Sequence, residues 1–571
     1  MAGAEERGGA ARGRARRAGD HHGFPYLGIA AAVIVLARAP QGLAQMPSTG
    51  TPPSAAAGGA EGGGTPGATT PQPGTTGGTP EPGAAPGAPA AGAAASRGPA
   101  WTIIPSVSVN EAFTDNVFST ATQRRSDLIS TLAPGLFVTG ASPRLQGVFN
   151  YSPQVIKYLD NTSQDQIQQN LFSNGTLTAV PDFLFVDGSA SISDQSRTGG
   201  RGFNNAAPLP TAQSTQTIAY TGSPYLRFRV GDDGDAELRY TLSQTVFSGN
   251  TGSVIDPLTG QNLGSISNST QHAGTFTYNT GDAFSRLQFG FLSSYIQFIS
   301  GNGALNSRHA VDTLTGAYAV TDQVSALFGG GYEKLAYPHQ PQSDFAGPNW
   351  SLGARYQPRA DRQITLTYGE VEGQNTFAGS MLYALTGDAT LSAAYSEQNS
   401  SAQQQILQNL ANSTQLSPGL TINPTTGLPQ AITNPNLALQ NNIFRARNLQ
   451  AGLTVERRRN HYSASFNRTE DTSLGAGGLD QTTTGGVLSW SRDLTPNATG
   501  IMSAGYASTA STAASGAAAA STDALTFGVS VNVALSETLS AGANYALSRQ
   551  TGGISAPILV DIVSVSLRKT F

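Results

Sequence analysis

The amino-acid sequence predicts an all-β fold, a transmembrane antiparallel outer-membrane β-barrel of about 22 strands within a range of about 18 to 24. Three observations support this prediction. Apolar and polar residues alternate at period two over most of the chain from Trp101 onward. The connections between the alternating runs are short and long in turn. The chain ends in an aromatic residue, Phe571, on the apolar face of the last run.

The alternation is clearest toward the C-terminus, where every odd residue of the run 525–535 is apolar. Runs 236–242, 364–368 and 462–466 repeat the pattern, and no helical stretch intervenes between such runs to cover a sheet. These runs belong to about 22 strand-like segments of roughly 9–14 residues between Trp101 and Phe571, and a tilted membrane strand needs about 9–11 residues. A soluble sandwich would also alternate, because one face of its sheets is solvated.

The connections distinguish the membrane barrel from the sandwich, because only the barrel sorts its short turns and long loops to opposite ends. Many of the short connections carry Gly, Asp, Asn or Pro, the residues of tight turns. The predicted short connections are 140–143, 231–235, 281–283, 321–323, 359–361, 387–388, 457–460, 495–497 and 536–537. The predicted long ones lie near 115–126, 195–215, 248–268, 337–347, 397–443, 470–481, 508–521 and 549–556.

The composition fits a barrel and excludes several other classes of site. Of the 571 residues, 38% are hydrophobic and 12% charged, and the formal net charge is −4. This balance gives no indication of nucleic-acid binding. The sequence contains no Cys, which excludes disulfides, a thiolate nucleophile, cysteine metal ligands and a lipoprotein anchor.

The N-terminal 100 residues are predicted to precede the barrel. In residues 1–44, an Arg-rich stretch, a short apolar run and a small-x-small pattern ending at Ala44 indicate a signal peptide, with a short N-terminal anchor as the alternative. Residues 45–100 are rich in Pro, Gly and Ala, which predicts a disordered periplasmic linker. This linker is either a spacer or a segment that reaches a periplasmic partner. The predicted barrel then occupies residues 101–571.

Charged residues on the inward parity of the strands are candidates for setting solute selectivity. Lumen charge favours anions or acidic sugars under one interpretation, and forms a balanced network that only stabilises the polar interior under the other. The basic candidates are Arg144, Arg227, Arg229, Arg239, Arg286, Arg355 and Arg568. The acidic candidates are Glu237, Glu333, Glu370 and Glu456.

Three arginines near the loop end share the parity of lipid-facing residues. They are Arg445, Arg447 and Arg468. Arginine forms bidentate contacts with phosphate, so one hypothesis is that they bind lipopolysaccharide. The alternative is that they stand in water above the membrane.

The sequence offers no pattern for catalysis, a cofactor or a metal. His272, His309, His339 and His461 lie at segment ends or in loops, apart from any nucleophile or paired-acid motif. We therefore predict a protein that is not an enzyme and has no cofactor.

The final segment resembles the C-terminal signal that the barrel assembly machinery reads in bacterial outer-membrane proteins. Val565, Leu567 and Phe571 share one face of this segment. Further stretches resemble an outer-membrane β-barrel porin family associated with exopolysaccharide export and PEP-CTERM loci. These stretches are 113–118 (FTDNVF), 125–129 (RSDLI), 132–135 (LAPG), 184–190 (LFVDGSA) and 394–397 (AYSE). The resemblance implies an outer-membrane location and polysaccharide passage, and it implies no catalytic residues.

Two functions follow from these expectations. The first is a porin-like channel for small solutes or for exported polysaccharide. The second is a surface-exposed barrel whose long loops bind partners without transport. The longest loop, 400–442, includes a short amphipathic stretch at 404–410, and it either enters the barrel mouth as a constriction or stands out as a receptor surface.

Overall fold

The computed structural model describes residues 101–571 except 200–213, 232–233, 250, 256–261, 281–283, 285, 340–342, 418–419, 425–429, 475–477, 514–519 and 553–556. The predicted signal peptide at 1–44 and linker at 45–100 lie outside the described residues. Among the described residues, no helix combines the length and the apolar character needed to cross a membrane.

The described residues form one closed barrel of 22 antiparallel strands, two of which are interrupted. In chain order these strands are β1 (Trp101–Thr114), β2 (Asp127–Ala141), β3 (Leu145–Tyr151 with Gln154–Tyr158), β4 (Gln166–Gln168 with Leu171–Val180), β5 (Leu184–Ser196), β6 (Ser214–Val230), β7 (Gly234–Gly249), β8 (Ser269–Asn279), β9 (Leu287–Ser300), β10 (Ser307–Ala319), β11 (Val324–Ala336), β12 (Phe345–Arg359), β13 (Arg362–Val371), β14 (Gln374–Thr386), β15 (Ala389–Ser401), β16 (Ile443–Arg457), β17 (Asn460–Ser473), β18 (Leu479–Thr495), β19 (Ala498–Ala513), β20 (Ala520–Ser536), β21 (Leu539–Gly552) and β22 (Ile558–Thr570). A 3-10 turn (Thr162–Gln164) lies between β3 and β4, and the segment between β15 and β16 carries one helix, α1 (Ala402–Ala411), and a small hairpin (Thr414–Ser417 with Leu420–Ile422).

Pairing of the first and last strands closes the barrel. The register between β1 and β22 runs from Ser106 opposite Thr570 to Thr114 opposite Ile562. All remaining pairings in the wall join strands that are consecutive in the sequence. The predicted fold class is therefore confirmed.

The two ends of the barrel differ in the length of their connections. At the end that holds Trp101 and Thr570, which we call the turn end, consecutive strands are joined by two to seven residues. At the opposite end, which we call the loop end, the connections include 115–126, 250–268 and 402–442. This sorting agrees with the predicted alternation of short and long connections.

The two faces of the wall differ in polarity, as the period-two pattern requires. On β7, Leu238, Tyr240 and Leu242 are exposed on the outer surface. Arg239 and Ser243, at the intervening odd positions, face the lumen and are largely buried. The outer surface is therefore apolar enough to face lipid.

One hairpin at the loop end is shorter than its neighbours. The two residues between β13 and β14, Glu372 and Gly373, both have positive φ (55° and 70°), which is the geometry of a tight type I′ turn. Pairing of β12 with β13 stops at Trp350 opposite Glu370, although β12 begins at Phe345. Above the hairpin tip the wall therefore has a gap between β12 and β15, which we call the notch.

The beginning of β16 packs over the notch. Ile443, its first residue, is buried with Phe298, Leu305, Leu335 and Tyr337 from the rim of β9 to β11. These residues belong to strands β9 and β11 and to the loop-end connections that follow them, on the far side of the short hairpin. The outward-parity side chains of β16 at this height therefore contact protein instead of lipid.

Candidate functional site in the barrel lumen

The loop-end segment 402–442 contributes a helix to the barrel interior. The side chain of Ser401 accepts a hydrogen bond from the Gln404 backbone N–H (3.3 Å), and the Gln404 side chain accepts one from the Ser401 N–H (3.0 Å). This capping box fixes the start of α1 at the last residue of β15.

One face of α1 is apolar and packs against the inner wall. Ile406, Leu407 and Leu410 follow helical spacing and are buried. They form a cluster with four wall and loop residues, namely Phe172 of β4, Ala219 of β6, Phe247 of β7 and Ile266. We call this contact the apolar anchor.

The end of the same segment is held to other strands by hydrogen bonds. Ala438 N–H donates to Gln481 Oε1 of β18 at 3.0 Å. Gln440 and Leu479 exchange two bonds, of 2.9 and 3.0 Å, between the glutamine side chain and the Leu479 backbone. We call this contact the polar anchor.

The two anchors lie on opposite sides of the barrel. Strands β7 and β18, which carry Phe247 and Gln481, are eleven strands apart in a closed barrel of 22, which is half its circumference. The described part of 402–442 therefore crosses the lumen. Of the two predicted alternatives for this loop, the structure shows the one that enters the barrel mouth.

A charge network lines the inner face of β5, β6 and β7, nearer the turn end than the apolar anchor. Arg239 contacts Asp187 and Glu237, each at 2.7 Å, and Arg227 contacts Glu237 at 3.2 Å. The Arg239 guanidinium also lies 3.8 Å from the centre of the Tyr225 ring, which stacks on Phe185 at 5.1 Å. Positive and negative groups are paired within this network, so its net charge is small.

Most of the predicted lumen charges lie on inward parity in the strands. These are Arg227, Arg229, Arg239, Arg355, Arg568, Glu237, Glu333 and Glu456. Arg144 and Arg286 lie in turn-end connections, outside the strands. Their effect on selectivity stays a prediction.

The placement of Glu370 in the lumen was wrong. Leu366 and Tyr368 of β13 are exposed on the outer surface, and Glu370 continues the same face. Its carboxylate accepts a hydrogen bond from the Trp350 indole N–H at 3.4 Å on that surface. The error was one of parity along a single strand.

The three candidate lipopolysaccharide arginines lie on neighbouring strands at the loop end, but they differ in exposure. The side chain of Arg445 is only 9% exposed and forms an ion pair with Glu397 at 2.6 Å. Its predicted outer-surface position is therefore wrong, because the beginning of β16 covers the notch. Arg447 and Arg468 are about half exposed and contact Glu470, with Arg447 at 3.5 Å.

The predicted assembly signal lies on the outer surface at the turn end. Val565, Leu567 and Phe571 are all exposed. The Phe571 N–H donates to the Pro105 carbonyl at 3.0 Å, which continues the pairing of the last strand with the first.

Comparisons with known proteins add a general likeness of shape. No family model and no curated protein matches the chain. Among solved structures, it is similar to the siderophore receptor PirA from Acinetobacter baumannii, with 10% identity and a TM-score of 0.45, over 82% of this chain and 80% of that one. It is also similar to the FrpB iron transporter from Neisseria meningitidis, with 10% identity and a TM-score of 0.44, over 82% of each chain. The ferric enterobactin receptor PfeA from Pseudomonas aeruginosa gives 11% identity and a TM-score of 0.43, over 82% and 81%. Likeness at this level supports no statement about what this chain binds.

Proposed function

We propose that the protein is an outer-membrane channel whose narrowest part is formed by 402–442. The observation that supports this most directly is the crossing of the lumen between the apolar and polar anchors. A barrel of this strand number encloses more space than wall side chains fill, so an inserted segment sets the size of the passage. We propose no catalytic activity for this channel.

The outer surface of the barrel supports the proposed location in the outer membrane. Its apolar residues suit lipid contact, and the exposed C-terminal face suits recognition by the barrel assembly machinery. The predicted signal peptide would direct export, and the predicted linker would then lie in the periplasm.

The proposed transported molecules are small polar solutes, and exported polysaccharide is the more specific alternative. Paired lumen charges present both signs to a solute, which favours neutral or weakly charged polar molecules. Polysaccharide passage is favoured by the resemblance to the export-associated barrel family.

We also propose that Arg447 and Arg468 contact lipopolysaccharide phosphate. Both guanidinium groups are at the outer surface near the loop end, where headgroups lie. Their carboxylate partner Glu470 holds them side by side, although it also reduces the net positive charge available to a phosphate.

The test of the channel is single-channel conductance of the full-length chain in a planar bilayer. Ser401 and Ile443 are direct register partners, so a short turn can replace 402–442 without breaking the wall. We expect a steady conductance from the wild type and a several-fold larger one from the replacement. No conductance from either protein, when both are folded and inserted, would contradict the channel and favour a surface barrel whose loops bind partners.

A further inference from the structure

Three potential metal ligands converge beneath the beginning of β16. They are His309 of β10, Glu333 of β11 and Glu372 at the tip of the short hairpin. One ligand atom from each lies within 4.8 Å of the other two. Glu333 is only 1% exposed.

The strand register explains why these residues meet. His309 is opposite Leu335, so Glu333 is its diagonal neighbour on the same inner face. The Glu372 N–H donates to Glu333 Oε2 at 2.9 Å, which places the hairpin tip against β11. The Glu372 carboxylate in turn accepts a hydrogen bond from the Asn399 N–H of β15 at 3.0 Å.

The cluster places a second carboxylate, that of Glu372, beside the pair that His309 forms with Glu333. Arg445 lies nearby but is already paired with Glu397, at 2.6 Å. Tyr337 and Asp344 also face the cluster and contribute no positive charge. Burying two adjacent carboxylates is costly, and a single imidazole offsets only part of that charge.

We propose that His309, Glu333 and Glu372 bind one divalent transition-metal cation of the Zn²⁺ type. Two carboxylates balance its charge, and a neutral imidazole supplies the nitrogen ligand such ions favour. Donors about 2.0–2.2 Å from a common ion are at most about 4.4 Å apart, so small side-chain rotations close the group. The His309–Glu333 contact is replaced by two metal bonds.

The bound ion would join parts of the wall that backbone pairing does not connect. At the notch, β12 and β15 have no strand between them above the hairpin tip. A metal held by β10, β11 and the tip would fix this part of the rim. This role is independent of whether the barrel conducts.

The experiment measures Zn²⁺ binding to the folded full-length protein in detergent after treatment with a chelator. We expect one Zn²⁺ per chain by titration calorimetry and elemental analysis, and X-ray absorption should show nitrogen and oxygen ligands with one imidazole. Glu372→Gln and His309→Ala should weaken binding at least tenfold. Zn²⁺ should raise the unfolding temperature of the wild type and not that of Glu372→Gln.

Two control variants separate this cluster from other carboxylates and imidazoles. Glu370→Gln removes an exposed carboxylate two residues from the tip, and His461→Ala removes an exposed imidazole. Both should bind Zn²⁺ as the wild type does. Absence of stoichiometric binding by the folded wild type would overturn the proposal. Unchanged affinity in Glu372→Gln and His309→Ala, or absorption spectra without imidazole, would overturn it too.

Discussion

The two anchors of 402–442 differ in their chemistry. The apolar anchor buries Ile406, Leu407 and Leu410 against β4, β6 and β7. The polar anchor depends on hydrogen bonds to β18. Buried apolar groups have no good partner elsewhere, whereas a broken hydrogen bond is partly replaced by water. The segment should therefore detach from β18 more readily than from β4 to β7.

The largest effect is expected when the apolar anchor is broken. Leu410 is 1% exposed, and Leu410→Asn removes its packing and adds a buried polar group. Such a change costs about 2–5 kcal/mol of local stability. In single-channel recordings, we expect frequent and long steps from the steady wild-type conductance to a larger one.

Leu416→Asn is the matched control for that change. Leu416 belongs to the same segment but is 62% exposed, so the substitution removes little packing. Recordings of this variant should match the wild type. Equal opening in both variants would mean that α1 does not hold the segment in place.

A smaller effect is expected at the polar anchor. Gln481→Ala removes the acceptor of the Ala438 N–H and should cost about 1 kcal/mol. We expect brief steps from the steady wild-type conductance to a larger one, with the time between steps several-fold shorter than in the wild type. Gln363→Ala, at the turn end of β13, should leave the time between steps unchanged. Longer openings in Gln481→Ala than in Leu410→Asn would reverse the proposed order of the anchors.

Charge substitutions should change ion selectivity without releasing the segment. Arg239→Gln removes the positive charge beside Asp187 of β5 and Glu237 of β7. Strand β7 also carries Phe247, which is part of the apolar anchor. We expect the reversal potential in a salt gradient to shift toward cation preference, with unchanged opening frequency. Arg229→Gln should shift the reversal potential less, because the Arg229 side chain is 76% exposed and its ion pair with Asp235 spans 3.8 Å. A change in opening frequency would instead couple the charge network to the apolar anchor.

The smallest effect is expected at the outer rim. Exposed ion pairs contribute at most about 1 kcal/mol each, so Arg447→Ala with Arg468→Ala should barely change thermal stability in phospholipid alone. In bilayers that contain lipopolysaccharide, we expect a clear loss of stability relative to the wild type. Equal stability of the wild type and the double variant in that bilayer would contradict the proposed lipopolysaccharide contact.

The sequence predicted the wall better than the site. Strand positions follow from period two, which each strand carries by itself, and the error at Glu370 was a misreading of that period. The burial of Arg445 was not predictable, since it depends on β16 packing over the notch. His309, Glu333 and Glu372 form no spacing motif, because the register of three hairpins brings them together. The amphipathic stretch at 404–410 did predict α1, but the sequence left its location open.

The notch also bears on how the barrel avoids association with other chains. Above the short hairpin, β12 and β15 present strand edges that have lost their usual neighbours, and such edges are templates for another chain's strand. Here side chains occupy part of the exposed edges, because Glu372 accepts from the Asn399 N–H of β15 and Arg445 donates to the Asn375 carbonyl of β14 at 3.1 Å. Charged groups at these positions would disfavour edge-to-edge aggregation while the barrel is being assembled.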